Sequence, residues 1–109
     1  MKTLRSTVYR ALHVTGPACV LVSIRFGKQP ENGPKIIYML AQEKHDASVK
    51  FDLKNHIAEV LSGVAKANAE FSGNLEIEAI EVVPDDYPRK SQAEYVAYKI
   101  AAAVLQDEV

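Results

Sequence analysis

At 109 residues, 48% apolar and 25% charged, the chain has the size and composition of one globular domain spanning residues 1–109. Its formal net charge of −1 excludes a bulk polycation, and its single Cys19 excludes an internal disulfide. No apolar run approaches the roughly 20 residues that cross a bilayer, and residues 1–16 lack the apolar core and cleavage pattern of a signal peptide; no membrane association and a cytoplasmic location are expected.

The charge is unevenly distributed. Residues 1–54 carry nine Lys/Arg against four Asp/Glu, and residues 55–109 carry four against ten. A shared basic face would attract nucleic acid or an acidic protein. Interspersed charges that keep both halves hydrated are the simpler reading, because no aromatic–basic alternation suited to base stacking is present.

In chain order, residues 6–14 read as a strand that ends in a Thr15-Gly16-Pro17 turn. In residues 18–26, Ala18, Val20, Val22, Ile24 and Phe26 alternate with Cys19, Leu21, Ser23 and Arg25, the pattern of a half-buried strand. Residues 27–34 are rich in turn formers and suit an exposed hairpin loop, and residues 36–41 supply a third strand. Val49, Phe51 and Leu53 alternate with Lys50 and Asp52, as a short fourth strand or the lead-in to a helix.

Over residues 55–70, Ile57, Val60, Leu61, Val64 and Ala65 recur at helical spacing, with Gly73 as the stop. Residues 75–83 alternate until the phase changes at Ile80, which implies a bulge or burial on both faces near the strand's end. Ser91 and Glu94 have the S-x-x-E spacing of a capping box and open a nearly uncharged helix over residues 91–106. The expected fold is therefore an α+β two-layer sandwich, in the order β-β-β-(β)-α-β-α, with two helices on one face of a mostly antiparallel sheet.

This order, with Ala97-Tyr98-Lys99-Ile100-Ala101-Ala102 and the loop residues Pro30, Asn32, Gly33 and Pro34, resembles domain IV of bacterial elongation factor G, of the ribosomal protein S5 domain 2-like fold. The helical run is similar to that family's A-F-K-I-A-A signature. The segment before the last helix departs from it: Asp85-Asp86-Tyr87-Pro88-Arg89-Lys90-Ser91 stands where the family has a G-S-Y-H-x-V-D-S-like loop, and no GTP-binding domain is present. The resemblance implies a scaffold that, among relatives, often touches RNA or a ribonucleoprotein. One fold hosts many functions, so translocation activity does not carry over.

Arg89, Lys90 and Ser91 are the candidate partner- or anion-binding residues. Two cations, a hydroxyl and the free amides of a helix's first turn describe a phosphate site. The plainer alternative is a solvated turn in which Asp85 and Asp86 neutralise both cations. His13, His45 and His56 share no short ligand spacing with one another, so no metal is expected, and no glycine-rich phosphate loop is present. A Cys19 nucleophile oriented with His45-Asp46 has no support from spacing, and neither a catalytic residue nor a cofactor is assigned.

The sequence thus points to a small non-enzymatic binding domain that engages a protein partner, as an adaptor, inhibitor or immunity-type module. An RNA- or ribosome-associated domain is the alternative. A homo-oligomeric structural protein is a third reading, with a homodimer formed through an edge strand, either residues 8–14 or residues 36–41.

Overall fold

A computed structural model describes residues 8–15, 18–38, 51–83 and 88–106. The elements follow as β1 (Val8–Thr15), β2 (Ala18–Phe26), β3 (Lys35–Tyr38), α1 (Leu53–Phe71), β4 (Ile77–Val82) and α2 (Gln92–Leu105). One four-stranded sheet has the order β1-β2-β4-β3. The β1/β2 and β2/β4 pairs are antiparallel and the β3/β4 pair is parallel. This is the expected α+β sandwich, with helices packed against the sheet. Among the described residues, no helix is long and apolar enough to cross a membrane.

The alternation in β2 explains the core. Val20, Val22, Ile24 and Phe26 are fully buried and join Ile77, Ile80 and Val82 of β4 beneath Val60 and Val64 of α1 and Val96, Ala97 and Ile100 of α2. In β4 the pairing with β2 steps from Ala79 to Ile77 between Arg25 and Phe26 and skips Glu78. Both expectations for the phase change hold, since the bulge sits at Glu78 and every residue from Ala79 to Val82 is buried.

Residues 27–34 are not a hairpin loop. β4 lies between β2 and β3, so the loop carries the chain past a strand that comes later in the sequence. It is fastened to the lead-in of that strand, the Gly27 and Gln29 amides donating to the Glu76 backbone carbonyl and side chain at 3.1 and 3.0 Å. Hairpin composition reports a tight reversal but not which strand becomes the neighbour.

Several boundaries shift for local reasons. Asp52 caps α1 by accepting from the Asn55 amide at 3.0 Å, so Phe51 and Asp52 lead into a helix; Val49 and Lys50 of the candidate fourth strand lie outside the described residues. So do residues 6–7 of the first expected strand and 39–41 of the third. β4 starts at Ile77 because the Asn68 side chain pairs with both backbone groups of Leu75, at 2.9 and 3.0 Å. The left-handed residue that ends α1 is Ser72, at φ 53°, one position before Gly73.

The two helices run parallel. Contacts ascend together along both, from Glu59 with Ser91, through Gly63 with Ala97 and Tyr98, and Glu70 with Tyr98, to Gly73 with Leu105. Gly63 permits this closeness. A Cβ at that position would lie 2.8 Å from the Tyr98 amide nitrogen and closer still to the Glu94 carbonyl. This glycine is a packing contact inside a helix rather than turn punctuation.

Candidate functional site

Because the helices are parallel, both N-termini emerge at one end of the molecule, and the expected site residues Arg89, Lys90 and Ser91 lie there. All three are exposed. The capping box is not formed: Ser91 has φ 69° and its hydroxyl makes no capping hydrogen bond. Glu59, reaching across from α1, accepts instead from the Ser91 amide at 2.9 Å and the Glu94 amide at 3.4 Å, and its carboxylate also holds the Asn55 side chain at 2.8 Å. Two first-turn amides expected to be free for an anion are therefore already engaged by a carboxylate.

Glu94, freed from the capping role, turns to α1. It accepts from the Ser62 hydroxyl at 3.1 Å and pairs with the Lys66 ammonium, whose contact holds the Glu94 carboxyl below the ordinary range. One turn on, the Tyr98 hydroxyl donates to Glu70, which pushes the phenol's pKa upward. These polar pairs line the seam between the exposed sides of the helices.

Gln92 was not singled out by the sequence, yet it organises the other flank. Its carbonyl oxygen accepts from the Arg89 amide at 2.8 Å, which orients its NH2 toward β1. There it lies 2.9 Å from His13 Nδ1 and donates to the His13 carbonyl at 3.3 Å. The partners are 79 positions apart, so no local pattern could have paired them.

Tyr95 stands above this base, 53% exposed, with its ring centroid 5.5 Å from that of His13 and the Lys99 ammonium 5.9 Å from its own. Shallow depressions flank it. One, of about 290 Å³, is lined by His13, Arg89, Lys90, Ser91, Gln92 and Tyr95. The other, of about 420 Å³, lies over Lys66, Glu94 and Tyr98. The result is an exposed aromatic ridge with cations on both sides, a geometry that can anchor a partner's side chain and hold its anionic groups by cation–π and ionic contacts.

The remaining candidates are dispersed. Cys19 is half-buried on β2, and the His45-Asp46 pair considered with it lies outside the described residues, as do Asp85 and Asp86. His56 packs edge-on against Phe51 with neither ring nitrogen hydrogen-bonded among the described residues, and burial lowers its pKa to about 4. Among the described residues, no group of three or more His, Cys, Asp or Glu side chains converges on a metal position. No protein-family model, no curated protein and no solved structure matches the chain.

Proposed function

We propose that this chain is a small, non-enzymatic binding domain that engages a protein partner through the Tyr95 ridge and the basic depression beside it. The carrying observation is the exposure of Tyr95 between Lys99 and the Arg89-Lys90 pair. Tyr and Arg are the residues that most often dominate protein interfaces, because each combines large contact area with directed polar groups. A segment with an apolar or aromatic anchor flanked by carboxylates complements this surface. Such a module would act as an adaptor, inhibitor or immunity-type protein.

An RNA- or ribosome-associated role is the second reading, because Tyr95 beside three cations also suits a stacked base and its phosphate. The helical likeness to domain IV of elongation factor G points the same way. The acidic groups within the surface favour protein: Glu94 and Glu70 line the neighbouring seam, and Glu59 already fills the amide positions that a phosphate would take. A polyanion would meet these carboxylates at close range, where like charges repel.

The test is capture from host lysate by the tagged chain and by its Tyr95→Ala variant, with and without nuclease. Tyr95 is exposed, so the variant keeps the fold. The protein reading expects one protein retained after nuclease, with recovery reduced about tenfold or more by Tyr95→Ala, in line with loss of an interface anchor. Nuclease-sensitive recovery of RNA would replace that reading with the RNA one, and recovery unaffected by Tyr95→Ala would remove the ridge from either.

A further inference from the structure

We infer that the buried ring of His56 and the first turn of α2 compete for one carboxylate, Glu59, so that a proton taken up by His56 withdraws Glu59 from α2 and frees the Ser91 and Glu94 amides. The end of α2 beside Tyr95 thereby loosens in acid. As a regulation of the proposed binding surface this rests on that reading, but the device itself operates in the chain alone.

His56 is 3% exposed, shares the buried stripe of α1 with Val60, and has its ring edge-on to Phe51 at 5.2 Å between centroids. Among the described residues neither ring nitrogen makes a hydrogen bond. A neutral imidazole always carries one N–H donor, so the resting state leaves a buried donor unmade, which is costly. A cation in the same place costs more, and burial accordingly holds the ring's pKa down at about 4.

Glu59 is placed to relieve that cost. It stands three positions along α1, the spacing at which helix side chains are neighbours, and its charge favours the protonated ring against the effect of burial. The other charged groups at this end are Asp52 and Lys54 at the start of α1, and Arg89, Lys90 and Glu94 around the start of α2. Lys54, Arg89 and Lys90 are cations and repel an imidazolium. Asp52 is committed to the Asn55 amide, and Glu94 to Ser62 and Lys66. Glu59 is held by neutral donors, the Asn55 side chain and the Ser91 and Glu94 amides, at 2.8, 2.9 and 3.4 Å. An imidazolium binds a carboxylate more strongly than neutral amides do, above all where water is excluded. The protonated ring therefore takes the carboxylate, and the first turn of α2 is left to water.

Proton NMR of the free chain, titrated from about pH 7 down to about pH 4, tests this across the interval between the ordinary and the lowered histidine pKa. The expected result is that the Ser91 and Glu94 amide resonances move upfield with the same midpoint as the His56 ring, while the amides of β2 do not follow it. His56→Leu, which fills the same space with an apolar side chain, should lose that movement. Glu59→Gln keeps a neutral acceptor for the two amides; it should lower the His56 midpoint and abolish the linked shift. A ring that titrates without moving either amide, a ring that stays neutral until the chain unfolds, or amide shifts that persist in His56→Leu would each overturn the inference. No partner is present in this measurement, so its failure is separate from any failure of capture through Tyr95.

Discussion

His56 shows how one side chain couples this fold to pH. Desolvation lowers its folded pKa to about 4, while the unfolded chain holds it near the ordinary 6.5. Between those values the unfolded state binds more protons, so stability is complete above about pH 6.5, falls as pH falls, and levels off below about pH 4. A separation of about 2.5 units corresponds to about 3 kcal/mol. Denaturant midpoints measured across this range should decline for the parent chain, and His56→Leu should lack that part of the decline; an identical decline in both would remove His56 as its source. In the sequence this histidine already falls within the expected helix of residues 55–70, four positions before Val60, but a lone polar ring in that stripe carries no local signal of burial.

At the scale of elements, the end of the molecule is organised by α1 capping α2. Glu59 supplies the acceptor that the Ser91 hydroxyl was expected to supply, and Ser91 occupies a left-handed conformation that takes its side chain out of the capping role. Glu59→Ala should cost about 1 kcal/mol, and Ser91→Ala, which removes no capping bond, only a few tenths. Thermal melts would then separate the variants by about 5 °C; the reverse order would restore the capping box. The elements themselves were legible because hydrophobic period is a local property: β2 was read to the residue, and α1 and α2 to within two. What local patterns could not carry was adjacency. The insertion of β4 between β2 and β3, the Gly63 contact, the cap from Glu59 and the Gln92–His13 bridge all join residues distant in sequence, and only packing brings them together.

For the whole molecule, part of the uneven charge between the two halves resolves through pairing. Arg10 and Arg25 from the basic half meet Glu81 and Glu78 from the acidic half across the sheet, so this part of the asymmetry is consumed inside the fold. Within the acidic half, Arg89 and Lys90 just before α2 and Lys99 midway along it flank the exposed Tyr95. Arg89, Lys90 and Ser91 could be nominated from sequence because charge at a helix start is conspicuous, but Tyr95 could not, since the hydrophobic period cannot tell which flank of a helix a sheet will leave open. The most direct measurement is backbone hydrogen exchange of the tagged chain, alone and recovered with its nuclease-resistant protein partner. Slowed exchange in the first turns of α2 and around His13, with β3 unchanged, is the predicted result; protection confined to β3 and the loop of residues 27–34 would contradict the proposed binding surface.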